Sequence, residues 1–167
     1  ALRDFYYGLD HVPDGLPTSG GYLWMDGASC YWLNPASEGA RSYLVQQIQE
    51  LRSKGFDEVV LTDFCFPVTD QIVFSGDKTQ TLTETAQLLA DTCCSDSFAL
   101  SFVKAADYTL PTGRTRVYLE GIEAADADQA AKDSGVADTA VNLVFLAESH
   151  DTRYDAYSVL RPLASAH

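Results

Sequence analysis

From Ser37 onward the chain alternates stretches whose apolar residues recur at helical spacing with short apolar runs that show no alternation. This rhythm restricts the fold more than any other feature. An unalternating apolar strand needs cover on both faces, and such strands belong to parallel sheets whose connections are helices. The spacing predicts a first helix from Ser37 to Lys54, with Asn34 and Pro35 as cap and first-turn proline and Gly55 as the stop. Tyr43, Leu44, Ile48 and Leu51 fall on one face of it. A strand follows at 57–64, centred on Val59, Val60 and Leu61.

The second helix is expected over Lys78 to Cys93, carrying Leu82, Ala86, Leu89 and Ala90, and the next strand over Phe98 to Val103. Beyond a loop with Pro111 and Gly113 come a strand at Arg116 to Glu120, an alanine-rich helix from Ala124 to Ser134 closed by Gly135, a strand at Ala140 to Ala147 and a last helix near Tyr154 to Leu163. These are four βα units in an α/β chain. A closed eightfold barrel takes about 250 residues, and 167 are too few. The expected architecture is therefore parallel βα units forming a partial, half TIM barrel. A small doubly wound sheet is the alternative if the strand order contains a switch point. A half barrel leaves two sheet edges unpaired, so the remaining half is expected from a longer parent chain or from a homo-oligomer partner.

Residues 1–36 differ in kind from 37–167. They are rich in glycine and aromatics (Tyr6, Tyr7, Tyr22, Trp24, Tyr31, Trp32) and read as a long loop with one or two short strands. Charge excludes one partner class: Asp plus Glu outnumber Lys plus Arg by 24 to 11, giving a net charge of -13, which a phosphate backbone would repel. No nucleic acid is expected. No apolar run is long enough to span a bilayer, so no membrane span is expected either. GxGxxG and GxxxxGK are missing. Cys30, Cys65, Cys93 and Cys94 lack the paired spacing of a zinc site. Neither a cofactor nor a metal is expected, one of Cys93 and Cys94 should pack in the core at a helix end, and a Cys30–Cys65 disulfide would require export.

At Trp32 to Pro67 the sequence reads WLNPASEGARSYLVQQIQELRSKGFDEVVLTDFCFP. It resembles the core signature of a bacterial glycosyl hydrolase domain family, uncharacterised TIM barrels related to the alpha-amylase-like glycosidases. In that signature a WxNP segment opens a Tyr-bearing helix, and the stretch ends in GFDExxFDYxRFP. Trp32, Asn34, Pro35, Tyr43, Gly55, Phe56, Asp57, Glu58, Phe66 and Pro67 fall at the family's spacing. The resemblance covers about a fifth of the chain and implies the C-terminal half of a barrel, a carbohydrate ligand and an extracellular or cell-surface setting. Two positions depart from it: Thr62 stands where the family has Asp, and Cys65 where it has Arg. Strand alternation turns Asp63 away from the direction a carboxylate at position 62 would take, unless a bulge re-aims it.

Glycoside hydrolysis needs two carboxyl groups, one protonating the leaving oxygen and one acting as nucleophile or base. In a barrel they stand at the C-terminal strand ends. The carboxylates there are Asp63, Asp107, Glu120 with Glu123, and Glu148 with Asp151. Glu120 and Glu148 directly end apolar strands, in VYLEG and VFLAES, and with Asp63 they are the catalytic candidates. Trp24 and Trp32 are candidate sugar platforms, since flat rings with polar edges suit carbohydrate faces. His150 is the histidine placed like a site residue, although the string Ser149-His150-Asp151 cannot converge as a triad from consecutive positions. The functional expectation is a glycoside-hydrolase-like protein acting on or binding polysaccharide. The loss of the family's Asp and Arg shifts it from turnover toward binding, and a non-catalytic scaffold without a small-molecule ligand is the alternative.

Overall fold

The architecture is that of a computed structural model in which residues 1–5 and 13–162 are described. Tyr6, Tyr7 and the Leu163 end of the expected last helix lie outside the described residues. A short antiparallel pair, β1 (Arg3–Phe5) and β2 (Tyr31–Trp32), precedes α1 (Glu38–Ser53). Then come β3 (Glu58–Leu61), α2 (Lys78–Cys93), β4 (Ala99–Val103), β5 (Val117–Glu120), α3 (Ala127–Asp133), α4 (Thr139–Asn142), β6 (Leu143–Leu146) and β7 (Ser158–Leu160). The five strands β3 to β7 form one sheet in sequence order, every neighbouring pair parallel. The order contains no switch point. The fold is α/β with parallel βα units, as the apolar runs require.

Local chemistry sets the helix ends. Asp77 caps α2 by accepting the Gln80 N–H at 2.8 Å. At α1 the cap is Ser37 rather than Asn34, its hydroxyl oxygen accepting the Ala40 N–H. Asn34 accepts instead from the N–H of Ala36, and the carbonyl of Pro35 receives Arg41 Nε and the Thr85 hydroxyl at 2.7 and 2.9 Å. The Asn-Pro pair thus clamps α1 to α2. Gly55 and Gly135 end their helices in the left-handed region, at φ 92° and 72°.

Two further differences concern the C-terminal third. The expected strand at Ala140 begins only at Leu143, because Thr139–Asn142 closes a helical turn first. The expected helix near Tyr154 is a single 3-10 turn, Thr152–Tyr154, followed by β7, which pairs with β6 from Val144↔Ser158 to Leu146↔Leu160. The β4 to β5 connection carries no helix, and its coil tucks Tyr108 under the sheet's C-terminal end.

The core follows the period of two along each strand. Leu61, Leu100 and Phe102 pack against Leu44 and Ile48 of α1 and Leu82, Ala86 and Leu89 of α2. Val117, Leu119, Leu143 and Phe145 pack against Ala127 and Ala131 of α3. Val103, Tyr118 and Val144 form a third cluster with Val60 and Leu146 on the opposite face. On that face Glu58 accepts from Ser101 Oγ at 2.5 Å and the Tyr118 hydroxyl at 3.1 Å, with Arg116 at 3.5 Å. Burial, and then the Glu58 charge, pushes the Tyr118 phenol up.

Tyr108 is 8% exposed, and its hydroxyl is the buried side-chain polar atom without a partner among the described residues. Its ring lies edge-on to Phe64 and Phe102, at 5.5 and 6.1 Å. Burial pushes its ionisation well above the ordinary tyrosine value. An unpaired buried hydroxyl costs about 1–3 kcal/mol, so Tyr108→Phe is expected to hold or raise the melting temperature, gaining up to about 1 kcal/mol. A loss exceeding about 1 kcal/mol in urea unfolding would show that the hydroxyl has a partner.

Candidate functional site

Every loop that follows a strand of a parallel sheet emerges at the same rim. Along this rim the structure places the candidate residues in two groups. The first lies at the ends of β5, β6 and β7, where a cleft of ≈ 810 Å³ is lined by Glu120, Glu123, Glu148, Asp151, Arg153 and Arg161 among others. Glu120 pairs in register with Leu146, so Glu148 stands two residues further along the neighbouring strand. Leu146 packs with the Val103, Tyr118 and Val144 cluster and Ala147 with the cluster against α3. Glu148 follows in a bend just beyond the strand end and lines the same cleft as Glu120. One strand spacing and two residues of rise separate the two backbone positions by about 8 Å, within reach of a carboxyl pair for glycoside chemistry.

The cleft wall is fixed by a local ion pair. Arg153 donates through Nε and Nη2 to the two oxygens of Asp151, at 2.9 and 2.6 Å, and its own N–H also reaches Asp151. These bonds hold the Asp151 carboxyl well below the usual carboxylate range. The Tyr154 hydroxyl donates to the Ile122 carbonyl at 2.5 Å, tying the loop after β6 to the loop after β5. His150 is exposed, stands 3.9 Å from Asp155 and is not among the lining residues. Asp107 lies in the β4 to β5 coil and is not among the residues lining this cleft.

The second group surrounds the end of β3. Asp63 has a left-handed backbone, φ 46°, which breaks the strand alternation: Thr62 is exposed, Asp63 half-buried and Phe64 fully buried. Burial, and secondarily the Asp63 charge, pushes the Cys65 thiol up. Trp24 donates to Gln71 Oε1 at 3.1 Å, which fixes its ring against the loop after β3, and its centroid is 6.1 Å from that of Trp32. Trp32 is 7% exposed, so it is core and supports Trp24 from below. The two bridges Thr18↔Ile72 and Val73 N–H to Pro17 carbonyl fasten the aromatic segment to the same loop. Asp63, Trp24 and Trp32 therefore stand apart from the cleft of Glu120 and Glu148, with β4 between them in the sheet.

Sequence reasoning passed over Asp26, the hub of this second group. Its oxygens accept from the N–H groups of Cys30 and Ala28, Trp32 Nε1 and Arg3 Nε, at 3.0, 2.9, 3.2 and 2.7 Å. The Cys30 N–H leads in holding its carboxyl well below the usual range, with Arg3 and Trp32 adding to it. The one sequence signal is Asp-Gly at the tip of an aromatic hairpin. No disulfide joins the cysteines, and Cys93 is buried at the end of α2. Among the described residues there is no group of three or more His, Cys, Asp or Glu able to hold a metal, and no helix is long and apolar enough to cross a membrane.

No known protein family profile matches the chain, and no curated protein matches it significantly. Among solved structures, a hypothetical protein from Ruminiclostridium thermocellum ATCC 27405 is similar at 22% identity and a TM-score of 0.48, over 54% of this chain and 47% of that one. The match spans about half of each chain, and that protein's description assigns no activity.

Proposed function

We propose that the chain is a glycoside-hydrolase-like segment of a partial TIM barrel that binds carbohydrate in the cleft at the ends of β5, β6 and β7. The observation that carries this reading is the meeting of Glu120 and Glu148 in one cleft of ≈ 810 Å³, a volume ordinary for a small-ligand site. Carboxylates accept hydrogen bonds from sugar hydroxyls, and two of them in one cleft offer the acid and base positions of glycoside chemistry. Among the described residues β3 and β7 are the outer strands of the sheet, and their edges are where the remaining strands of a barrel would add, from the parent chain or a partner copy. Thr62 and Cys65, in place of the resembled family's Asp and Arg, favour binding over turnover. A scaffold without a ligand is the competing reading, and nothing in the cleft favours it.

The test is hydrolysis of a panel of aryl glycosides and of plant and bacterial polysaccharides, run beside Glu120→Gln and Glu148→Gln. Binding without turnover is expected, with each substitution weakening affinity by about tenfold, the worth of one charge-assisted hydrogen bond. Turnover lost by more than about a hundredfold in either variant would make the protein an active hydrolase. Absence of both binding and turnover would leave the scaffold.

A further inference from the structure

The loop between β6 and β7, residues 147–157, carries Glu148 and Asp151 into the cleft and then bears two tyrosines. Tyr154 and Tyr157 pack on the same ring. Phe145 is 1% exposed, and its centroid lies 5.2 Å from that of Tyr154 and 5.1 Å from that of Tyr157. Both hydroxyls then reach the segment that follows β5. Tyr154 donates to the Ile122 carbonyl at 2.5 Å, two residues after Glu120, and Tyr157 donates to Asp128 Oδ1 at 2.7 Å, in the first turn of α3. A further constraint lies inside the loop: Asp151, held by Arg153, caps the turn Thr152–Tyr154, and the Tyr154 N–H closes that turn on the Asp151 carbonyl at 3.1 Å. This turn delivers the Tyr154 side chain to Phe145 and Ile122.

We infer that Tyr154 and Tyr157 are positioning residues, whose hydroxyls hold the loop of Glu148 against the loop of Glu120 and so set the width of the cleft between the two carboxylates. The inference rests on the carbohydrate reading above and adds to it the device that keeps the cleft in its binding shape. The strand ladder cannot supply that restraint, because Glu120 is the last residue of β5 and Glu148 stands two residues past the end of β6. Tyr157 is not among the residues lining the cleft, so an effect of its hydroxyl on a ligand must travel through the loop. A site already held in shape pays no ordering cost when the ligand arrives, and loosening it lowers affinity without removing a ligand contact. Because both hydroxyls restrain one loop, removing the two together should not simply add the single effects.

The experiment compares Tyr154→Phe, Tyr157→Phe and the double variant with the wild type, all as the full chain. Each phenylalanine keeps its ring on Phe145 and removes only the hydroxyl. Amide hydrogen exchange of the unliganded protein is expected to quicken by about tenfold at 121–124 and 149–155, the worth of one lost hydrogen bond, and to stay unchanged in α2 and β4. Calorimetric titration with cellohexaose and with the N-acetylglucosamine hexamer should then show binding weakened by about threefold to tenfold in each single variant. Saturating hexamer should return the loop exchange to the wild-type rate, since the ligand selects the closed arrangement. Tyr108→Phe, whose hydroxyl joins neither loop, should alter neither measurement. Unaltered loop exchange in the double variant would overturn the inference, and so would quickened exchange with wild-type affinity, the mark of a purely structural role; carbohydrate binding would stand in both cases. Failure of the wild type to bind either hexamer would instead overturn the carbohydrate reading itself, and this inference with it.

Discussion

Phe102→Ala is expected to destabilise the chain by about 3–5 kcal/mol, the ordinary cost of removing a buried phenyl ring. Phe102 is 0% exposed and stands in the middle of the sheet, in register with Leu61 on one side and Val117 on the other. Its ring meets Phe64 edge-on at 5.1 Å and Tyr108 at 6.1 Å. The substitution therefore removes apolar area from water-free surroundings and also one member of an aromatic trio, and the trio seats both the left-handed turn at Asp63 and the β4 to β5 coil. Relaxation cannot fill the cavity cheaply, because the strand is pinned on both edges. Val141→Ala, at a position 57% exposed, should change stability by less than about 0.5 kcal/mol. Urea unfolding of both variants measures the contrast. A loss under about 1 kcal/mol for Phe102→Ala would mean that the helix-side core is not packed as described.

The second large effect is expected at Asp26. Asp26→Asn keeps the shape of the side chain but removes the charge that four donors converge on, and we expect a fall in melting temperature on the order of 5 °C at neutral pH. The pH dependence has a definite sign. The folded carboxyl is held below its ordinary value, led by the Cys30 N–H, whereas the unfolded one titrates near 3.9. The stabilisation is thus fully present above about pH 4 and is lost as the pH falls toward the depressed folded value. The gap between wild type and Asp26→Asn should be widest at neutral pH and close as the solution is acidified below about pH 4. Asp151, depressed in the same way by Arg153, is common to both proteins and cancels in the difference. A gap that is constant from pH 7 to pH 2, or that widens in acid, would contradict the described network.

The elements easiest to read in the sequence were those in which several signals agree. The expected and observed bounds of α2 coincide at Lys78 and Cys93, because an apolar stripe runs between an aspartate cap and the helix end. The parallel sheet was legible because β4 is apolar at nearly every position, and it is indeed buried throughout. Asn34 misled as a cap because its side chain serves Ala36 locally, leaving Ser37 one turn later to do the capping. β7 was hidden because Tyr154, Tyr157 and Leu160 recur at helical spacing, and pairing with β6 outweighed that pattern.

The site divides in the same way. Glu120 and Glu148 could be placed from sequence because each ends an apolar strand, and strand ends of a parallel sheet share a rim. The burial of Trp32 and the hub at Asp26 could not. Both arise when the hairpin folds back and brings Arg3 and Trp32 to Asp26, partners 23 and 6 residues distant. The direction of Asp63 depends on one backbone angle, and alternation rules carry no information about a left-handed residue.

The central claim is that carbohydrate occupies the cleft of Glu120 and Glu148. Its most direct test is backbone amide NMR of the labelled chain titrated with the tightest-binding oligosaccharide. The account predicts the largest shift changes at Gly121, Ile122, Ala147 and Ser149, residues that line the cleft, and none along the groove of Arg41, Val45 and Gln49 on α1. Changes concentrated on that α1 groove, with the amides of the cleft unmoved at saturation, would contradict it.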